Sequence, residues 1–142
     1  MKKYTLESDF DFDFLLFGIS CHLKDYRLAW DINNTLELDL TRVANHKVFI
    51  RKASPEPAEF SMFFYEEEEN HCQYILVANH CEEGVLILDL KHFDYFLIIR
   101  GAMFEEVEEQ MLENLRSINS VNLVNELVTN AIKSKNNLII DL

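Results

Sequence analysis

The rhythm of apolar and polar residues changes several times along this chain. Tyr4-Thr5-Leu6 reads as a short first strand. From Asp9 to Phe14, Asp and Phe alternate strictly, the two-residue period of a strand. Phe14 to Ile19 is a continuous apolar run, short enough to favour strand over helix. His22 to Leu36 predicts a helix: Ala29, Ile32 and Leu36 share a face, with Tyr26 and Trp30 beside them. A run of strands follows, at 47–51, 59–66 and 72–79. Pro55 and Pro57 put a loop between the first two, and 66–70 reads as a solvated hairpin loop. Glu82-Glu83-Gly84 predicts a turn in which Gly84 supplies a positive φ, and Val85 to Leu88 a further short strand.

The second half carries the two strongest signals. Phe93 to Ile99 lacks a polar face, which places it in the centre of a sheet. Ala102 to Ile118 predicts a helix, with Phe104, Val107, Met111, Leu115 and Ile118 as one apolar stripe and glutamates around it. Short strands are expected at 121–124 and 137–140. The sum is a single α+β domain: a largely antiparallel sheet of about five to seven strands, with two main helices packed on one face.

With 142 residues, the chain has room for one domain and for a core that folds without metal or disulfide. Its 25 acids against 13 bases give a net charge of −12. Nucleic-acid affinity rests mainly on Lys and Arg neutralising phosphates, so direct binding is not expected. The closest approaches to a basic cluster are Arg51-Lys52 and Lys133 with Lys135. No apolar run approaches the ~18 residues of a membrane span. Acids from Glu7 onward interrupt any export signal, and three cysteines in no metal-type spacing suit reduced thiols. A cytoplasmic location is the expectation.

Chemistry-bearing patterns are incomplete. Asp9, Asp11 and Asp13 begin like a calcium loop, but Phe14 and Ser20 stand where Gly and Glu belong. The plainer reading is the solvated face of a strand. Cys and His are adjacent three times, at 21–22, 71–72 and 80–81. A strand over 72–79 would hold His71 and His80 about 30 Å apart, too far to share an ion. Gly18-Ile19-Ser20-Cys21-His22 starts like a hydrolase elbow, with His22 in place of the second Gly. Three scattered glycines make no phosphate cradle. No catalytic residue, metal or cofactor is therefore assigned.

The segment 24–33 crowds charged, aromatic and amide side chains around the single tryptophan. Tyr26 and Trp30 either pack the core or form part of a binding surface, since Trp, Tyr and Arg are enriched at hot spots.

Two segments resemble the bacterial IPExxxVDY family. In 87–95, Ile87, Asp94 and Tyr95 match the motif, while Leu88 replaces its proline, Asp89 its glutamate and Phe93 its valine. Gly18-Ile19-Ser20 with Asp25-Tyr26-Arg27-Leu28, Trp30 and Asn33 is similar to the family's N-terminal part. The length and Lys133-Ser134-Lys135 with Leu138-Ile139 also fit, so the resemblance spans nearly the whole chain. It implies no catalytic residue, and the missing proline bears on the turn before Asp94.

Three functional readings follow. The first is a non-catalytic protein-interaction or regulatory module, meeting a protein partner or a second copy through a free sheet edge or the Trp30 helix. The second is a small-molecule binder or unrecognised enzyme. Its pocket would lie between helix 22–36 and the sheet, lined by Asp25, Tyr26, Arg27, Trp30, Asn33, Asp94 and Tyr95. The third is an acidic regulator of a nucleic-acid enzyme, which requires Glu66–Glu69 and Glu105–Glu109 to share a surface.

Overall fold

Strand-forming runs with no polar side end up at the middle of the sheet. In the computed structural model, residues 14–51, 54–69, 71–101 and 105–140 are described, without the side chains of 105–107. Eight strands and two helices are present among them: β1 (Leu15–Cys21), α1 (Asp25–Leu36), β2 (Thr41–Val48), β3 (Ala58–Glu67), β4 (Cys72–Ala78), β5 (His80–Cys81), β6 (Gly84–Val85), β7 (Tyr95–Arg100), α2 (Glu105–Arg116) and β8 (Val121–Leu127). Six strands form one sheet in the order β2-β3-β4-β7-β1-β8, while β5 and β6 pair separately. Every ladder is antiparallel. This is an α+β domain with a mostly antiparallel sheet, as the pattern predicts. No helix among the described residues is long and apolar enough to cross a membrane.

The sheet is buried on both sides. Phe17, Ile19, Leu76, Leu97 and Ile99 face α1 and α2, meeting Leu28, Ile32, Met111 and Leu115. On the other side Leu16, Ile75, Val77, Phe96 and Ile98 are covered by Leu86, Ile87 and Phe93, and by Ile132, Leu138 and Ile140 of the C-terminal stretch. Both helices therefore share one face, while irregular chain covers the opposite one. Double burial explains why β1, β4 and β7 read as continuous apolar runs rather than alternating ones.

Several expectations shift. The first helix starts at Asp25 rather than His22, because the 22–24 stretch is drawn out to connect β1. There the Tyr95 hydroxyl donates to the Leu23 carbonyl at 2.7 Å. Its buried residues are Leu28, Ala29 and Ile32. Tyr26 and Trp30 do not pack the core: they are 58% and 63% exposed. At about 100° per residue, both fall on the far side of the helix from Leu28 and Ile32. The second strand runs over Thr41–Val48 rather than 47–51, and a register shift between Val43 and His46 masks its period.

The strand expected at 85–88 is reduced to β6, followed by a 3-10 turn at Leu88–Leu90. Gly84 does take a positive φ, of 150°, in that hairpin. The strand expected at 137–140 is replaced by a 3-10 helix over Lys135–Leu138. Leu138 and Ile140 are drawn onto the sheet's second face instead of extending its edge. The expectations for Tyr4–Leu6 and Asp9–Asp13, and for Phe104 and the Val107 side chain, lie outside the described residues.

Candidate functional site

The residues singled out from sequence separate into three places. Asp94 and Tyr95 stand where the 86–94 loop enters β7. The Asp94 Oδ2 accepts the Cys21 N–H at 2.8 Å, and its own N–H donates to the Ile19 carbonyl at 2.8 Å. With Cys21, His22, Leu23, Lys24, Ala78 and His80 they line a cleft of about 320 Å³. Burial pushes the Tyr95 phenol well up, and the Asp25 charge raises it further. The phenol thus acts as a neutral donor that ties Leu23 down.

The cleft brings together one Cys–His pair, Cys21-His22, and the histidine of another, His80. Cys21 is buried, and that burial raises its thiol pKa, the opposite of what a nucleophile needs. The His80 Nε2–H donates to the Lys91 carbonyl at 2.8 Å, and His22 is exposed. His71 sits at the other end of β4. Among the described residues no group of three or more His, Cys, Asp or Glu is placed to hold a metal ion.

Asn33 does a local job. Its side chain donates to the Leu40 carbonyl at 3.2 Å and accepts the Leu40 N–H at 2.8 Å, closing the turn after α1. Glu37 occupies that turn in left-handed backbone, with φ 56°. Asp25 accepts the Tyr26 N–H at 2.7 Å at the start of the helix. Arg27 lines a separate polar groove of about 520 Å³, together with Asp31, Asn34 and the 117–120 loop. There Ser120 donates to Asp31 at 2.7 Å. Asp94 and Tyr95 therefore share one cleft, while Arg27 lies in another.

Tyr26 and Trp30 remain. Four residues apart, they neighbour each other on the solvent side of α1. Two large amphipathic rings side by side in water form the kind of surface that binding partners bury.

The motif segment 87–95 is organised by a residue the sequence reading passes over. Asn79 is fully buried. Its Nδ2 donates to the Leu90 and Phe93 carbonyls at 3.0 and 2.9 Å, and its Oδ1 accepts the Ile87 N–H at 2.8 Å. Its main chain also bonds Leu86 and Asp94. This loop hub bends 86–93 back over the sheet. Ile87 and Phe93 are buried, and the exposed Asp89 accepts the Lys133 N–H at 3.4 Å. Phe93 lies over Gly18, where any Cβ would come within 2.8 Å of its ring. An Asn after an apolar strand is an ordinary turn signal, so only its long-range partners reveal the hub.

The acidic residues draw partly together. Glu67 of the β3–β4 hairpin lines a cleft of about 290 Å³ with Glu37 and with Gln110, Met111 and Asn114 of α2. Further along α2, Glu108 faces Glu126 of β8; burial and that like charge raise the Glu126 carboxyl above its usual range.

Each outer strand of the sheet carries an arginine on a main-chain carbonyl. Arg42 donates to the Val43 and Met62 carbonyls at 2.6 and 3.2 Å, beside the irregularity in β2. Arg116 donates to the Val124 carbonyl of β8 at 3.2 Å. Charge and irregularity of this kind blunt an edge against strand addition. No protein-family model, curated protein sequence or solved structure matches this chain.

Proposed function

We propose that the chain is a non-catalytic protein-interaction module of the cytoplasm, related to the IPExxxVDY family, and that α1 is its contact face. The observation that carries this reading is the exposed Tyr26–Trp30 pair. The buried side of the same helix is fully used by Leu28, Ala29 and Ile32, so the rings contribute little to the fold where they stand. Arg27 and Lys24 beside them add donors to an aromatic centre, a composition typical of hot spots. Arg42 on the outer strand β2, and Arg116 reaching from α2 to the outer strand β8, turn the reading away from the sheet edges. The motif residues fit the family part of the proposal as parts of the fold: Ile87 and Phe93 pack, and Asp94 and Tyr95 bond to backbone.

The test is site-specific photocrosslinking in the cells that make the protein. A benzophenone side chain replaces Tyr26 in one variant and Trp30 in another, with the exposed β2 residue Lys47 as control. A discrete adduct from positions 26 and 30 that is absent from 47 is the expected result. Absence of any adduct from both helix positions contradicts the proposal.

A further inference from the structure

The groove of about 520 Å³ between α1 and the 117–120 loop is almost entirely polar at its rim. It has the size of an ordinary small-molecule site, about 300–1,000 Å³. Leu23 and the buried Ile118 supply its apolar part. Ser120 donates its hydroxyl hydrogen to Asp31 at 2.7 Å, and Ser117 donates its own to the Asn114 carbonyl at 2.6 Å. Both serine oxygens and the Asp31 Oδ1 are left as acceptors. Arg27 brings the donors of its guanidinium, which no acceptor among the described residues takes. Asn34 and Asn119 bring amides that both donate and accept. The one base and the one acid cancel, so the groove favours neither sign of charge.

The helix sets an aromatic ring at the edge of this rim. At about 100° per residue, Arg27, Asp31 and Asn34 fall within about 60° of one another around α1, and Trp30 stands about 40° beyond Asn34. Trp30 is 63% exposed, so a face of its indole is open to a ligand seated on those residues. Tyr26 lies about 40° further round and does not line the groove.

We infer that this groove binds a neutral pyranose sugar, its ring against Trp30 and its hydroxyls on Arg27, Asp31 and Asn119. A pyranose has two kinds of surface. Each hydroxyl both donates and accepts, which matches a rim where donors and acceptors alternate. Its C–H face is apolar and suits the electron-rich face of an indole. A phosphate or carboxylate on the sugar would meet Asp31 as a like charge, so the neutral form is the one selected. The site goes beyond the α1 contact face. It shares Arg27 and Trp30 with that face, but Asn119 belongs to the groove alone and Tyr26 to the contact face alone.

The experiment is a titration of the full chain with neutral sugars, followed by the fluorescence of Trp30, the single tryptophan, and by the amide NMR shifts of 117–120. Glucose, galactose, mannose and N-acetylglucosamine are added as free sugars and as linear oligosaccharides, with a hexose phosphate and glucuronate as charged counterparts. A saturable change with a Kd on the order of 1 mM or tighter is expected from at least one neutral sugar. Tighter binding of the oligosaccharide identifies a glycan as the source, and equal affinity a free sugar. Arg27→Ala and Asn119→Ala, both at exposed positions, should each weaken binding about tenfold, and Lys47→Ala should leave it unchanged. No response to any neutral sugar overturns the inference. So does a response that survives Asn119→Ala undiminished, or one given only by the charged sugars. Crosslinks from position 26 that persist through such a result leave the contact face standing without the sugar site.

Discussion

The two faces of the central sheet are equally dry but are covered by different means. On one side α1 and α2 lay apolar stripes against Phe17, Leu76 and Leu97. Their own backbones are satisfied within the helices, so hydrophobic burial is enough to hold them. On the other side the cover is irregular chain, whose polar backbone needs partners from elsewhere. Side chains provide them. Asn79 bonds three groups of the 86–93 loop. Asn137 donates to the Leu86 carbonyl, His46 meets the Asn137 carbonyl at 2.7 Å, and Arg100 donates to the Ile140 carbonyl at 2.8 Å. No buried side-chain N or O among the described residues lacks a partner. A helical cover is thus specified by period, whereas a loop cover is specified by a few polar residues, each carrying several bonds.

The strongest way to break this contrast is Asn79→Ala. It leaves the Ile87 N–H and two carbonyls without their partner in a buried place. A loss of about 3 kcal/mol or more is expected in urea denaturation. A comparable loss from the exposed Asn122→Ala would show that the site is not special. Next is Gly18→Ala, whose methyl group meets the Phe93 ring. Overpacking of this kind costs about 1–3 kcal/mol, and combining it with Phe93→Leu should recover part of that. Failure of the second change to help would separate Gly18 from Phe93.

His46 sharpens the comparison through pH. Burial lowers its pKa below the usual 6.5, although the Asn137 carbonyl pulls the other way. The unfolded chain then binds the proton more readily than the folded one. The contribution of His46 is complete above about pH 6.5 and is lost as pH falls towards the lower folded value. His46→Gln should flatten the stability profile on the acid side of 6.5. An unchanged slope would remove His46 from the account.

The smallest expected effects lie on the helical face. Tyr26→Ala with Trp30→Ala should move stability by no more than about 0.5 kcal/mol per site in urea denaturation. A large destabilisation would mean that the rings belong to the fold. Glu126→Gln should stabilise by about 0.5 kcal/mol or less at neutral pH, because it removes the like charge facing Glu108. That gain should vanish in acid, where Glu126 is protonated in any case.

What could be read from sequence follows the same division. The run Leu15–Ile19, the core strand Tyr95–Ile99 and the stripe Met111, Leu115, Ile118 are periodic or continuous, and local pattern finds them. The place of Asp94 and Tyr95 beside the entry to the central strand was also legible. Leu138 and Ile140 form an apolar run that fits a strand equally well, and only the uncovered second face decides its fate. Asn79 reads in sequence only as the end of the strand at 72–79, because its bonds reach 8 to 14 positions along the chain. Trp30 was placed beside the core because large aromatics usually lie there, although its helical angle from Leu28 pointed outward.

The most direct measurement is native-state amide hydrogen exchange of the wild type against Asn79→Ala. The account predicts that protection falls in 80–94 and 129–140 while α1, α2 and β7 keep theirs. Uniform loss over both faces would contradict it, showing that one cooperative core, rather than a polar hub, holds the loop cover in place.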